Sequence, residues 1–577
     1  RFAADFHDMF EVRGARRRAR GRVFPPEITA TSVRFGYEGL DRVMRASVLA
    51  FSEAPDSIDE GEACFQISLE TDEARDIYIE VGAAVADPPS RWRFRAAAAR
   101  ARFAMRERRR RGARITTNGR LFNAWIDKSR ADLALLTTPM QTGPYPYAGI
   151  PWFSTAFGRD GIITAWQILW CEPALAKGVL SYLAEWQARE TSAFRDSDPG
   201  KIMHETRRGE MAALGEVPFG RYYGGVDTTP LFVALAGAYA ERTGDYAQLD
   251  RWWPALERAA GWISMMADRH PLGLISYARA MDGGLTNQGW KDSSDSIFHA
   301  DGRFPQGPVA LVEVQGYAYA AYRTMAALTA RRGDAEAAEG WSGRAAALRA
   351  VVEERFWMPE HGFYGIAMDG HNELCRVVSS NPGHLLFTGL PRADRAEKVA
   401  QHLFSSAMFS GWGLRTLAVE QSRYNPMSYH NGSVWPHDTA LAALGLSYYG
   451  ERTGVVKLTA GLFEAATQLE MRLPELFCGF PRAAGEMPVA YPVACLPQAW
   501  AAGSVFMLLQ ACLGLSISGE SAEVEIRDPT LPIGIDRLTV ADLEVGDGAI
   551  DLTFERQGSR VAVHSNSRGP RLRVRYS

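Results

Sequence analysis

The sequence predicts a mainly α protein, an (α/α)6 barrel with a β-domain at either end, and three observations lead to that reading. Between about Asn118 and Leu515, apolar residues recur at helical spacing in ten stretches: 121–136, 173–187, 230–242, 246–268, 310–331, 334–356, 392–404, 438–449, 455–471 and 498–515. Two shorter stretches, 162–169 and 383–389, bring the count to twelve, enough for six hairpins closed into a ring. On both sides of this region the pattern changes to the period-two alternation of strands. A helical solenoid, the rival for so many helices, requires a sequence period of roughly 34–45 residues, and none is present.

Taken in order, residues 1–90 alternate in short runs such as Ser32-Val33-Arg34-Phe35 and Ile77-Tyr78-Ile79-Glu80-Val81, broken by Gly and Pro, and predict an antiparallel β-sandwich. The chain opens at Arg1, and Phe2-Ala3-Ala4-Asp5-Phe6 reads as the interior of a folded segment, so this domain is expected to be partial, in a fragment or a processed product. Residues 91–117 are dense in Arg and Ala and include four consecutive arginines, Arg108 to Arg111, which suits a solvated helix or linker. Residues 118–518 form the predicted barrel, with the most apolar helices, such as 231–239, on the inside. Residues 519–577 return to alternation, as in 549–554 and 571–575, and predict a small C-terminal β-domain.

Composition narrows the function. A formal net charge of -3 argues against a chain-wide role on nucleic acid, and the thin aromatic interleaving of the Arg-rich stretch argues against a local one. No apolar run is long enough to cross a bilayer, so no membrane partner is expected. The six cysteines form no CxxC pair, which predicts buried thiols in a reducing, cytoplasmic setting without a disulfide framework. Fifteen Trp, 20 Tyr and 27 Phe exceed the usual needs of a core and suit stacking on sugar rings.

Two carboxylates stand in contrasting settings. Asp292, in Gly289-Trp290-Lys291-Asp292-Ser293, lies beside an aromatic ring, where partial desolvation would raise its pKa and keep a proton on it. Glu475, in Leu473-Pro474-Glu475-Leu476, is the candidate base. An acid and a base on separate loops are what an inverting glycoside hydrolase needs, with about 6.5–9.5 Å between them for the sugar and a water. Four loop segments surround the pair. The run Pro151-Trp152 to Gly161 ends in Arg159-Asp160, a donor fork next to an acceptor for vicinal hydroxyls, with capping of the following helix as the other use of Asp160. Gly224-Gly225-Val226-Asp227 places Asp227 before a helix, as cap or ligand contact. His204-Glu205, with Arg207 and Glu210, forms either a cleft wall or a surface ion-pair cluster. Tyr424 to Asp438 carries His430, Asn431, Trp435 and His437; the two histidines are seven apart across a proline, which is not a ligand spacing, so neither metal nor cofactor is expected. Trp435 is the candidate stacking platform.

The Gly158-Arg159-Asp160 helix start, Gly289-Trp290-Lys291-Asp292, the run from Tyr424 to Asp438, and Leu473-Pro474-Glu475-Leu476 with Pro497-Gln498-Ala499-Trp500 resemble the bacterial amylo-α-1,6-glucosidase (glycogen-debranching-enzyme-like) family of glucoamylase-like (α/α)6 glycosidases. The resemblance implies Asp292 as general acid, Glu475 as general base, and Arg159 and Asp160 on the terminal glucose. It also implies Trp290 and Trp435 flanking the sugar, with His430, Asn431 and His437 as polar contacts. Trp152, Asp227 and Lys291 complete the candidate binding set. The expected activity is release of terminal α-linked glucose with inversion, from α-1,6-linked or related oligosaccharides or small glucosides. An inverting phosphorylase on the same barrel and a non-catalytic carbohydrate-binding protein are the alternatives.

Overall fold

The computed structural model describes residues 1–576. The chain forms two compact units, one of Arg1–Arg108 with Arg207–Gly220, the other of Arg109–Thr206 with the chain from Arg221 onward.

In the first unit, strands Arg22–Ile28, Ser32–Glu38, Met44–Phe51 and Ile79–Gly82 pair in that order as an antiparallel sheet. Val33, Phe35 and Tyr37 alternate onto its covered face. Of the expected sandwich, the described residues contain this one sheet and a short hairpin, Ser57–Ile58 with Ala63–Cys64. The Arg-rich stretch is largely a helix, α1 (Arg91–Arg109), because Ala and Arg are both strong helix formers. None of its residues is buried, and Trp92, Phe94 and Phe103 are exposed. Glu210 also belongs to this unit. It accepts hydrogen bonds from the Tyr37 hydroxyl (2.8 Å) and the Leu40 amide (2.7 Å) and pairs with Arg17 (3.2 Å). Glu210 is buried, so the surface ion-pair cluster foreseen as one of its two uses is not what is found.

Among the described residues, the second unit holds twelve helices in two concentric sets. The inner set is α3 (Gly158–Ile168), α5 (Thr228–Thr243), α7 (Val312–Arg331), α9 (Asn381–Thr388), α11 (Pro436–Tyr448) and α13 (Ala499–Leu513). The outer set is α2 (Arg120–Leu136), α4 (Pro173–Glu185), α6 (Tyr246–Arg269), α8 (Ala335–Arg355), α10 (Ala393–Leu403) and α12 (Arg452–Gln468). Each inner helix packs on the next, and α13 returns to α3, so the ring closes. The outer helices pack behind it, α4 on α3, α6 on α5, α8 on α7, α10 on α9, α12 on α11 and α2 on α13. Sequence determines which helix goes where. Every residue of α13 except Gln510 is buried, as expected of a helix apolar on all sides, whereas α8 buries only Ala345, Leu348, Val352 and Glu353. Glycines permit the close approach: a Cβ on Gly445 of α11 would lie 2.4 Å from the Phe387 backbone nitrogen of α9.

After α13 the chain forms a three-stranded sheet, Leu515–Ser518, Glu523–Arg527 and Arg571–Arg575. A four-stranded sheet follows the order Arg560–Arg568, Gly548–Gln557, Arg537–Val545, Arg114–Thr117. Its last strand comes from the end of the predicted linker. Five cysteines are buried as expected, but Cys64 is exposed in the N-terminal unit. Among the described residues, no helix is long and apolar enough to cross a membrane.

Candidate active site

The predicted site residues of the second unit converge where the inner helices begin. Arg159 and Asp160 lie in the first turn of α3, Asp227 is the residue before α5, the 287–293 loop precedes α7, the 424–435 loop feeds α11, and the 473–498 loop feeds α13. Helix N-termini carry partial positive charge, which favours a gathering of carboxylates.

Arg159 is the hub. Its Nε donates to Asp227 Oδ2 at 2.7 Å, a terminal nitrogen donates to the Gln288 carbonyl at 3.3 Å, and the other lies 3.5 Å from Asp292 Oδ2. Burial alone would lower the Arg159 pKa, but Asp227 and Asp292 raise it and hold the guanidinium charged. Asp227 is fully buried and makes no capping bond, so neither role foreseen for it applies directly; it is the counter-ion that orients Arg159. Asp160 does not cap α3 either, since Phe157 occupies that position. Burial pushes the Asp160 carboxyl up to about 7 against the pull of Arg159, with Glu475 and Asp292 adding to the rise, and Gln498 donates to its Oδ2 at 3.3 Å.

Asp292 and Glu475 are held differently. The Asp292 side chain is 33% exposed, so a ligand can reach it. Desolvation nevertheless raises its pKa to about 6, opposed by Arg159 and assisted by Asp227. Glu475 is 2% exposed and accepts two hydrogen bonds, from the Tyr429 hydroxyl to Oε1 at 2.5 Å and from the Cys495 amide to Oε2 at 2.8 Å. A carboxyl group whose two oxygens both accept is arranged as an ionised carboxylate. Tyr429, half-buried, has its own pKa raised well above 10 by desolvation, then by Glu475, then more weakly by Asp292.

The aromatic residues have a different place from the one expected. Trp290 and Trp435 are each 2% exposed and pack edge to face at 5.7 Å, with His430 stacked on Trp435 and His437 stacked on Trp500 at 3.8 Å. They therefore form a rigid wall behind the carboxylates and leave little open face for a sugar ring. The cause lies in the length of the 424–438 run, which folds back on itself so that the Trp435 indole donates to the Tyr429 carbonyl at 2.9 Å. Trp152, partly exposed, donates its indole N–H to the Val493 carbonyl at 3.1 Å.

Several predicted ligand contacts instead fasten the Asp292 loop. His430 Nδ1 lies 2.7 Å from Ser293 Oγ and Asn431 Nδ2 donates to the Asp295 carbonyl at 3.0 Å. Lys291 Nζ donates to the Thr416 carbonyl at 2.6 Å, and burial lowers its pKa to about 8 against the charges of Asp438 and Glu313. Burial also keeps His430 and His437 neutral. Beneath them, Tyr317, His384 and Asp438 are joined by contacts of 2.5 and 2.8 Å across α7, α9 and α11. Tyr429, Gln288, Gln498, Glu313, His384 and Asp438 had not been singled out in the sequence. Tyr429 and Asp438 lay within a segment already marked, and Gln498 within a resembling motif. Glu313 and His384 are single polar residues on apolar helices, with no local signal. A cavity of about 590 Å³ lined by Trp166, Glu241, Arg323 and Arg331 lies toward the opposite ends of α5 and α7 and holds none of these residues.

A family model described as the mannosylglycerate hydrolase MGH1-like glycoside hydrolase domain matches residues 156–477, more than half of the chain and a span that includes Arg159, Asp227, Asp292 and Glu475. The chain belongs to this family. A second model, the N-terminal domain of some glycogen debranching enzymes, matches residues 1–80 of the MGH1-like chain, in line with the resemblance drawn from the loop motifs. No curated protein matches it. Among solved structures, a sialidase is similar with a TM-score of 0.58 and 13% identity, over 81% of this chain and 41% of that one. The GH78 family rhamnosidase of Bacillus sp. GL1 follows with 0.55 and 16%, over 81% and 42%. The α-L-rhamnosidase from Dictyoglumus thermophilum gives 0.51 and 11%, over 78% and 43%. These are likenesses of fold, and this chain spans about two-fifths of the length of each.

Proposed function

We propose that the double ring of helices is an (α/α)6 barrel and that this MGH1-like domain is an inverting exo-glycosidase. The observation that carries the reading is the contrast between Asp292, reachable and with a pKa raised to about 6, and Glu475, buried and accepting two hydrogen bonds. Asp292 gives its proton to the glycosidic oxygen as the bond to the anomeric carbon breaks. Glu475 takes a proton from a water attacking the opposite face. Arg159 and Asp160 hold hydroxyls of the terminal sugar, while the wall of Trp290, Trp435 and His437 keeps water out from behind. The tightly fixed Glu475 also favours hydrolysis over phosphorolysis, which has no use for a base.

The substrate proposed first is a terminal α-linked glucose on an α-1,6-linked or related oligosaccharide, supported by the loop resemblance and by the glycogen-debranching match over residues 1–80. The family description favours a second substrate, a small α-mannoside of an acid such as mannosylglycerate. A panel of α-glucosides of differing linkage and α-mannosylglycerate, assayed for free sugar with and without phosphate, separates the two. Release of glucose supports the first reading and release of mannose the second. Phosphate-dependent release of a sugar phosphate, or turnover undiminished in both Asp292→Asn and Glu475→Gln, overturns the proposed chemistry.

A further inference from the structure

Seven residues after Asp292, the chain closes a small turn on His299, whose amide donates to the Arg303 carbonyl at 2.8 Å and whose carbonyl accepts the Gly302 amide at 2.7 Å. The imidazole is 3% exposed and faces the turn between strands Ala367–Met368 and Leu374–Cys375. Asp369, 1% exposed, begins that turn. Its Oδ1 accepts the amides of His371 (2.9 Å) and Glu373 (2.8 Å), which fixes the carboxylate plane. Its Oδ2 has no hydrogen-bond partner and lies 3.3 Å from His299 Nε2. A buried carboxylate oxygen in that position is costly unless something charged or hydrogen-bonding meets it. One donor atom each from His299, Asp369 and Glu373 lie within 4.8 Å of one another, and Cys375 Sγ is 3.8 Å from His299 Nε2.

We propose that His299, Asp369 and Glu373 form a divalent-metal site of the zinc type, outside the carboxylate cleft, which ties the arm following the Asp292 loop to the 369–373 turn. Zinc bound at about 2.0–2.2 Å by nitrogen and oxygen places its donors roughly 3.3–3.5 Å apart, which the His299–Asp369 contact already matches. The imidazole in the donor set favours zinc or a similar transition metal over calcium or magnesium, which take oxygen ligands. Glu373 is 56% exposed and bonded by Arg303 at 2.5 Å, so it is the ligand that exchanges a cation of the protein for the metal as it enters. The metal-free alternative is His299 in direct contact with Asp369 beside a separate Arg303–Glu373 pair. None of these residues takes part in the proposed hydrolysis, so the site stands or falls independently of it.

The test is to strip the purified chain with chelator, dialyse it against zinc, count bound metal by mass spectrometry and record thermal unfolding. The wild type is expected to hold one more zinc per chain than Asp369→Asn, with a rise in melting temperature that the variant lacks. Glu373→Gln, a change at an exposed position, serves where Asp369→Asn does not fold, and weaker zinc binding is expected of it. Arg303→Ala is expected to keep or tighten binding by freeing Glu373. Equal zinc content and equal melting shifts in wild type and both carboxylate variants overturn the proposal.

Discussion

Asp292 and Glu475 are both carboxyl groups, and their neighbours set them apart. Replacing Asp292 with Asn or Glu475 with Gln is expected to lower kcat/KM by about 10²–10⁴-fold, the usual range for a general acid or base, with the fold intact by circular dichroism. Tyr429→Phe removes a hydrogen bond to a charged oxygen, worth roughly 1.5–3 kcal/mol, and should cost about 10–100-fold without altering KM as much. If Asp292 is the general acid, as proposed, it acts in its protonated form, so kcat/KM should decline as pH rises past about 6 and that limb should vanish in Asp292→Asn. Asp160 gives a stability prediction with a definite sign. Its pKa rises from 3.8 unfolded to about 7 folded, so both states are protonated at low pH, while at high pH the folded state carries a buried charge. Asp160→Asn should therefore match wild type near pH 3 and be more stable near pH 8, by on the order of 2–4 kcal/mol in urea unfolding. That Asp292 and the Arg159-Asp160 pair lie near one another could be expected from the sequence, because both sit in glycine-marked segments. The role of Asp227 could not, because its partner Arg159 is 68 residues away and only the fold brings them together.

The helices explain how a dispersed set of residues becomes a site. Arg159, Asp227 and Asp292 meet because α3, α5 and the loop before α7 start at the same end of the ring. Arg159→Met would strand the fully buried Asp227, and a loss of about 3–5 kcal/mol in unfolding free energy is expected, compared with a smaller loss for the double change with Asp227→Asn. Gly445→Ala tests the ring itself. The added methyl would meet backbone rather than a movable side chain, so about 1–3 kcal/mol of destabilisation is expected in denaturant melts, with no change in the pH profile of the remaining activity. The helical pattern showed through wherever an apolar face was long enough. α3 was placed from 162 although it starts at Gly158, because Gly158 and Gly161 weaken the local helical signal around the Arg-Asp pair. The strand Arg114–Thr117 was hidden for another reason. It pairs with Arg537–Val545, more than 400 residues on, and nothing local distinguishes it from the Arg-rich run before it.

At the scale of the second unit, closure of six buried helices by six amphipathic ones puts every loop of one type at the same end, and this is where the chemistry collects. The helix-rich character of this unit was predictable from helix count and periodicity, but the identity of the residues behind the acids was not, since Glu313, His384 and Asp438 look in sequence like isolated polar breaks in core helices. The same geometry leaves Trp290 and Trp435 in the wall, while Trp152 is partly exposed. Family membership fixes a glycoside hydrolase domain, and inversion is the stereochemical course proposed for Asp292 and Glu475. Proton NMR of the first turnovers on an accepted α-glycoside reads that course directly. The account predicts that the β-anomer appears first and the α-anomer only as mutarotation proceeds; initial release of the α-anomer would contradict it.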